Sequence, residues 1–362
     1  GHANPRWLKL GVGGGHGPLT GTLGIPRALH ARGSSCCGHP CLGVGACSAD
    51  SCGTTARVVI RSCETQVRGL VDFCPGVDVV LKLENMQTTG SFKIRGMVNK
   101  ILQGDQQVLR ETGIVTFSAG NAGRAVAYLG QALTVPTKIF MPQTVPEDRV
   151  ALLKGMGAVV EQVPSEKLLE SAAHCIDSEG RMLIHPFDDV DIIRGHASCG
   201  LEILEDVPDV DVVVVCCGGG GLLAGVAAAV KLKKGAQTQV IGVEPTGACS
   251  MHLSFEKGEH SWCEKLDTIC HGLAPPFAGK ATYNHAKAFV DQIVLVTDDE
   301  VRVAVKRLYE SGLVVEASGA AAVAAVMAGK CGDLDGKKVV CTVSGRNISC
   351  SDLNSILQTV VS

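Results

Sequence analysis

The sequence predicts an open α/β fold: mostly parallel, twisted sheets with helices on both faces, divided into two lobes. Three observations predict it. From about residue 77, valine-rich segments of strand length alternate with segments of helix length, joined by short glycine-bearing connections. Four consecutive glycines, Gly218 to Gly221, stand between a run of valines and an alanine-rich helical stretch. The chain has 362 residues, 46% hydrophobic and 19% charged, enough for two ordinary cores or one with an insertion. Ligands of such sheets sit beyond the carboxyl ends of the strands.

The elements follow in order. Residues 1–55 are rich in glycine and cysteine, carry no acidic residue before Asp50 and show no strand or helix period. They read as an atypical extension with no catalytic group. "VDVVLKLE" at 77–84 is a strand, and "FKIRGMVNKILQG" at 92–104 a helix. "GIVTFSAG" at 113–120 and "NAGRAVAYLGQAL" at 121–133 form the next strand and helix. "TKIFMP", "EDRVALLKGMG", "AVVEQV" and "EKLLESAAHCID" continue the alternation to residue 177. After them come "VDVVVVCC" at 210–217, "LLAGVAAAVKL", "QVIGVEP", "QIVLVTDDEVRVAVKRLYES" and "EASGAAAVAAVMAG". The strand "KKVVCTVSG" at 337–345 closes the series.

Charge and cysteine usage narrow the class. A formal net charge of −3 gives no general attraction to nucleic acid or to an anionic membrane. The uncharged stretch 212–230 is long enough to span a bilayer, but its four glycines fit a strand, loop and helix instead. The 17 cysteines are odd in number and mostly single within apolar segments, as expected of reduced thiols in a cytoplasmic or organellar protein. The run Cys36, Cys37, Cys41, Cys47, Cys52 lacks the paired CxxC spacing of a zinc site.

Two glycine loops and one lysine carry the chemistry. Gly218 to Gly221 would expose backbone N–H groups at a helix N-terminus, which is a cradle for a phosphate. The loop matches neither the GxGxxG dinucleotide fingerprint nor the nucleoside-triphosphate loop, so a cofactor with one terminal phosphate fits better. "SAGNAG", Ser118 to Gly123, repeats the strand-loop-helix arrangement and offers N–H groups to a carboxylate, with the Asn121 amide beside them. Lys93, cramped within "TTGSFKIRGM", is an amine able to bond covalently to a cofactor aldehyde.

Together, "TTGSFKIRG", "SAGNAG", "GGGGLLAG", "EASGA" and "SGRNIS", in this order across residues 77–355, resemble pyridoxal-phosphate enzymes of the tryptophan-synthase-β fold group. The nearest resemblance is to serine/threonine dehydratases and serine racemase. It implies a fold type II enzyme with a large cofactor domain at 56–110 and 187–362 and a small domain inserted at 111–186. It implies Lys93 as the Schiff-base lysine, Phe92 beside the cofactor ring and Ser91 shaping the strand end. Asn121 would bond the ring hydroxyl, Gly218, Gly219, Gly220 and Gly221 the phosphate, with Leu222 starting the helix behind. Ser344 would face the pyridine nitrogen. Ser118, Ala119, Gly120, Asn121 and Ala122 would form the substrate loop. The implied reaction is dehydration and deamination of L-serine or L-threonine to pyruvate or 2-oxobutanoate plus ammonia, in a homodimer. Serine racemisation, lysis of another β-hydroxy amino acid, and a catalytically faded protein with a binding role are the alternatives.

Two positions separate the relatives. Serine racemase has a serine where this chain has Ala119, and racemisation needs a proton donor on each face of the substrate. Glu244, Ala248 and Ser250 match a cation-binding turn; the racemase has an aspartate in place of Ser250, so a monovalent ion such as K+, or an empty polar turn, is the expectation. Three features depart from the resemblance. The segment "CETQVRGLVDFCPG" at 63–76 lacks the usual Thr-Pro-Leu, Ala317 stands where proline is common, and Arg346 interrupts the usual "SGGN" turn with a cation expected near the cofactor nitrogen.

Overall fold

The structure, a computed structural model, describes residues 64–65 and 76–359. The 1–55 extension, its cysteine run and most of segment 63–76 lie outside the described residues.

Two sheets form the scaffold. The larger has six strands in the order β1-β2-β10-β7-β8-β9: Glu64–Thr65 (β1), Asp78–Lys82 (β2), Lys338–Thr342 (β10), Val212–Cys216 (β7), Gln239–Pro245 (β8) and Gln292–Val296 (β9). All its pairings are parallel except β1 with β2. The smaller sheet has the order β5-β4-β3-β6, all parallel: Val159–Val163 (β5), Thr137–Pro142 (β4), Ile114–Phe117 (β3) and Met182–Leu183 (β6).

Twelve helices cover the two sheets among the described residues. They are Lys93–Gln103 (α1), Gln106–Thr112 (α2), Asn121–Leu133 (α3), Glu147–Gly155 (α4), Leu168–Glu179 (α5) and Val190–Asp206 (α6). After them come Gly221–Lys234 (α7), Ser250–Lys257 (α8), Lys280–Phe289 (α9), Asp298–Glu310 (α10), Ala317–Met327 (α11) and Cys350–Thr359 (α12). The expected alternation is borne out, with every strand and helix named above found at its place. The sequence pattern did not mark α6, which Asp189 caps by accepting from the backbone N–H groups of Asp191 and Ile192.

Burial explains the composition. β7 is buried along its whole length, as a central parallel strand covered on both faces must be, and so it reads as an unbroken valine run. Residues 221–230 of α7 and 317–326 of α11 are also buried throughout, so these two helices are alanine-rich rather than amphipathic. Small residues let α6 and α7 approach closely: a Cβ on Gly225 would lie 2.5 Å from the Ile193 carbonyl oxygen. No described helix is long and apolar enough to cross a membrane.

α1 shares an apolar cluster with α3, through Ile94, Met97, Val98 and Ile101 against Ala122, Ala125, Val126 and Leu129. Beneath α1 lies a group of fully buried charges. Arg95 donates to both oxygens of Glu84 at 2.7 and 2.8 Å and to both of Glu202 at 2.9 and 2.6 Å. Lys82 Nζ stands 2.8 Å from Glu202. The loops after β3, β7 and β10 leave the carboxyl ends of their strands, and these loops build the site.

Candidate active site

Lys93 begins α1, and the segment before it is stitched to the loop after β10. Phe92 N–H donates to the Ser344 carbonyl at 3.1 Å, Arg346 N–H donates to the Gly90 carbonyl at 2.9 Å, and Ser91 pairs with Gly345. Gly90 has φ of 77°, a left-handed conformation that favours glycine. The lysine is therefore held by backbone on both sides.

Its amine sits in a small pocket lined by Phe92, Phe187, Cys216, Gly218–Leu222, Gly272 and Leu273. Nζ donates to the Pro186 carbonyl at 2.5 Å and lies 5.1 Å from the Phe92 ring centre. No described carboxylate pairs with it. Burial holds the amine down to about 8, since a desolvated ammonium is costly. Lys93 is thus an oriented nitrogen that gives up its proton more readily than an ordinary lysine, facing the tetraglycine loop.

That loop is shaped for an anion. Gly220 has φ of 90°, and a Cβ there would lie 2.5 Å from Met251 Cε. A Cβ on Gly218 would stand 2.9 Å from Leu273 Cα, and one on Gly219 would overlap the Phe187 ring. Among the described residues, no protein acceptor takes the N–H groups of Gly218 to Leu222, and no side chain caps α7. Free N–H groups at a long, buried helix start fit a phosphate. Thr282 Oγ1 fixes the loop from outside by donating to the Gly219 carbonyl at 2.7 Å. Leu222 is buried in the large core behind it.

On the other side of the cleft lies the Ser118–Ala122 loop. Ser118 Oγ accepts from Gly120 N–H at 3.3 Å, and a Cβ on Gly120 would meet nothing within 4 Å, so this side is open. Ala122 turns its methyl into the cluster shared with α1, leaving its backbone for a ligand. Ala119 packs partly against the apolar cluster of Ala127, Ile139 and Met141. Asn121 is held at both ends: Nδ2 donates to Glu316 Oε1 at 2.6 Å, and Oδ1 accepts from Asn347 Nδ2 at 2.6 Å.

The remaining residues fall as follows. Ser344 is buried with its hydroxyl 3.5 Å from the Ser318 carbonyl, and it acts on the Cys216 thiol that lines the Lys93 pocket. Glu244 is buried, and its two oxygens accept from the N–H groups of Met251 and His252 at 2.9 and 2.7 Å, capping α8. Ala248 and Ser250 are buried beside this turn. No group of three or more His, Cys, Asp or Glu among the described residues is arranged to hold a metal. Arg346 does not enter the Lys93 pocket: its side chain is exposed, with Nη1 3.6 Å from Met86 Sδ.

Several participants escaped the sequence. Pro186 supplies the acceptor for Lys93, and Phe187 covers the tetraglycine loop. His185 accepts two backbone N–H groups at Nδ1, and burial lowers its pKa to about 4, keeping the ring neutral. Glu316 anchors Asn121, and burial pushes its carboxyl up to about 7. The one available signal was "HPFDD", residues 185–189, directly after a short strand in a fold whose ligands gather at strand ends.

Comparison with known proteins agrees with this geometry. The family profile of pyridoxal-phosphate dependent enzymes matches residues 65–345. The chain is 38% identical over 306 residues to an L-threonine ammonia-lyase of Thermotoga maritima, covering 84% of this chain and 75% of that one. It is 39% identical over 275 residues to a phenylserine dehydratase of Ralstonia pickettii, covering 75% and 84%. Among solved structures, threonine deaminase isoform 2 of Solanum lycopersicum superposes with a TM-score of 0.79 at 31% identity, covering 87% and 89%. Serine racemase of Dictyostelium discoideum gives 0.75 at 30%, covering 83% and 97%. The chain belongs to the pyridoxal-phosphate dependent enzymes, close to the threonine and serine dehydratases.

Proposed function

We propose that the protein is an L-serine/L-threonine ammonia-lyase: a small β-hydroxy amino acid loses water, and hydrolysis of the released enamine then gives a 2-oxoacid and ammonia. The observation that carries this reading is the Lys93 amine, oriented by Pro186 and held to about 8, opposite a helix N-terminus with free N–H groups. When bound, pyridoxal phosphate supplies the electron sink that allows an α-proton to leave.

The chain's own residues do the rest. The N–H groups of Gly218 to Leu222 would hold the phosphate, with the Phe187 ring packed against Gly219. Asn121, fixed by Glu316 and Asn347, and the buried Ser344 hydroxyl would be the polar groups that hold the cofactor ring. Backbone N–H groups of the Ser118–Ala122 loop receive the substrate carboxylate. Lys93, which burial makes easier to deprotonate than an ordinary lysine, would take the α-proton in its neutral form. The β-hydroxyl would then depart as water, with the proton Lys93 has taken returned to it. Ala119 brings no hydroxyl to this loop, which favours elimination over racemisation.

The test uses purified protein loaded with pyridoxal phosphate and offered L-serine or L-threonine. Stoichiometric ammonia and 2-oxoacid are expected, with no turnover by Lys93→Ala. Equal turnover by Lys93→Ala, or D-serine formed as fast as pyruvate, would contradict the reading.

A further inference from the structure

The loop between β6 and α6 touches both halves of the site. Its Pro186 carbonyl accepts from Lys93 Nζ, and a Cβ on Gly219 would overlap its Phe187 ring. Asp188 follows directly and is tied to the same turn. His185 Nδ1 accepts from the N–H groups of Phe187 and Asp188 at 3.2 and 2.8 Å. Asp188 and Asp189 then divide their work. Asp189 caps its own helix, α6, whereas the Asp188 carboxylate reaches 92 residues along the chain to the start of α9. Its Oδ1 accepts from the N–H groups of Ala281 and Thr282 at 2.8 and 3.2 Å, and its Oδ2 from that of Lys280 at 3.1 Å. Gly279, at the cap position of α9, has no side chain to offer, and a Cβ there would overlap the Asp188 carboxyl. A distant carboxylate takes the place of a local cap.

From α9 the connection returns to the tetraglycine loop. Thr282 Oγ1 lies 2.7 Å from the Gly219 carbonyl oxygen and 3.0 Å from that of Gly279. Among the described residues no backbone N–H donates to the Gly219 carbonyl, so this hydroxyl decides which way it points. The peptide between Gly219 and Gly220 is planar and trans. Holding its carbonyl outward therefore turns the Gly220 N–H the opposite way, where no described protein acceptor takes it. Both residues are glycine, and Gly220 has φ of 90°, so side chains put little resistance in the way of a peptide flip. The hydroxyl supplies that resistance.

We infer that Asp188 is a positioning residue of the cofactor site: by capping α9 it seats Thr282, which keeps the Gly220 N–H available to a phosphate. The effect runs through α9. Pro186 and Asp188 share one loop, so the same brace sets the lysine and the cradle relative to each other. This rests on the reading of Gly218 to Leu222 as a phosphate cradle and adds to it.

The full chain, stripped of cofactor, should be titrated with pyridoxal phosphate and with pyridoxal by fluorescence, beside urea unfolding of the same samples. Thr282→Val leaves the Asp188 cap in place and should weaken pyridoxal phosphate about tenfold, the worth of one hydrogen bond to a charged group. Thr282→Ser should restore it. Asp188→Ala should weaken it at least as much, and Asp188→Asn, whose amide oxygen still caps, should recover most of the loss. The double variant Asp188→Ala with Thr282→Val should fall well short of the roughly hundredfold product, because both changes act on one peptide. Pyridoxal lacks the phosphate, and its affinity should move by less than about twofold in every variant. A lowered urea midpoint in Asp188→Ala with pyridoxal phosphate affinity unchanged would overturn the inference and leave Asp188 a helix cap. Equal losses for pyridoxal and pyridoxal phosphate would overturn it too. A parent protein that binds pyridoxal phosphate no better than pyridoxal would overturn the cradle reading and this inference together.

Discussion

Lys82 and Lys93 are eleven residues apart, both are drawn into the interior, and they titrate in opposite directions. Burial works against the charge on each. At Lys82 the carboxylates of Glu202 and Glu84 outweigh it, and the pKa ends above that of an ordinary lysine. At Lys93 no carboxylate answers, and the pKa falls to about 8. The same contrast separates the arginines. Arg95 is closed in by Glu84, Glu202 and Ser198, whereas Arg124, one turn after Asn121, keeps a buried Nε with no hydrogen-bond partner. Charges satisfied within the protein belong to the framework. Charges the protein leaves unanswered beside a cleft are kept for a ligand.

Breaking the framework side should have the largest effect. Arg95→Met leaves Glu84 and Glu202 buried with Lys82 as their nearest described cation, and removing one partner of such a network costs about 3–5 kcal/mol. Urea unfolding at pH 7 should show the loss as a lowered midpoint with an unchanged slope. Lys93→Ala, measured beside it, should change stability by less than about 1 kcal/mol, because a desolvated amine without a carboxylate contributes little to folding. Equal losses in the two variants would erase the distinction.

The second prediction concerns the phosphate cradle. Gly219→Asp places a side chain into the space of the Phe187 ring and a negative charge at a helix N-terminus. Pyridoxal phosphate affinity should fall by roughly a hundredfold or more, through lost N–H contacts and added repulsion. An unaltered dissociation constant in fluorescence titration would return the loop to a purely packing role.

Much of this was legible because the informative residues are neighbours in the chain. Lys93 stands within one cramped decapeptide, and Gly218 to Gly221 lie between unmistakable strand and helix patterns. What stayed hidden depends on partners far apart in sequence. Pro186 is 93 residues from Lys93, and Glu316 is 195 from Asn121. Nothing local in a proline or a glutamate announces such a pairing. Arg346 shows the limit from the other direction. Its charge and its place after Ser344 suggested interference with the cofactor, yet the Ser91–Gly345 pairing turns the chain so that the side chain reaches Met86.

Glu316 offers a smaller, pH-dependent test of the unanswered side. Its carboxyl titrates near 7 in the folded protein against 4.5 ordinarily, so the folded state holds this proton more tightly than the unfolded chain. Stability from this group is complete below about 4.5 and is lost as pH rises through about 7. Glu316→Gln keeps an oxygen for Asn121 and removes the titration. Its stability relative to the parent should improve between pH 4 and pH 8, by at most about 3 kcal/mol. A difference that stays flat with pH would contradict the raised carboxyl.

Ala119→Ser should give the smallest change. The methyl packs partly against the small-lobe cluster, so a hydroxyl there is imperfectly placed. D-serine formed per pyruvate should rise by less than about tenfold, since a proton donor also needs correct position and pKa. Chiral chromatography beside a pyruvate assay reads both products.

The central claim is that Lys93 is the amine that bonds covalently to the cofactor. Borohydride reduction of the pyridoxal phosphate-loaded protein, followed by peptide mass mapping, tests it directly. A single phosphopyridoxyl group on the peptide containing Lys93, absent in Lys93→Ala, is the expected result. A group on another lysine, or none on a protein that binds the cofactor tightly, would contradict the account.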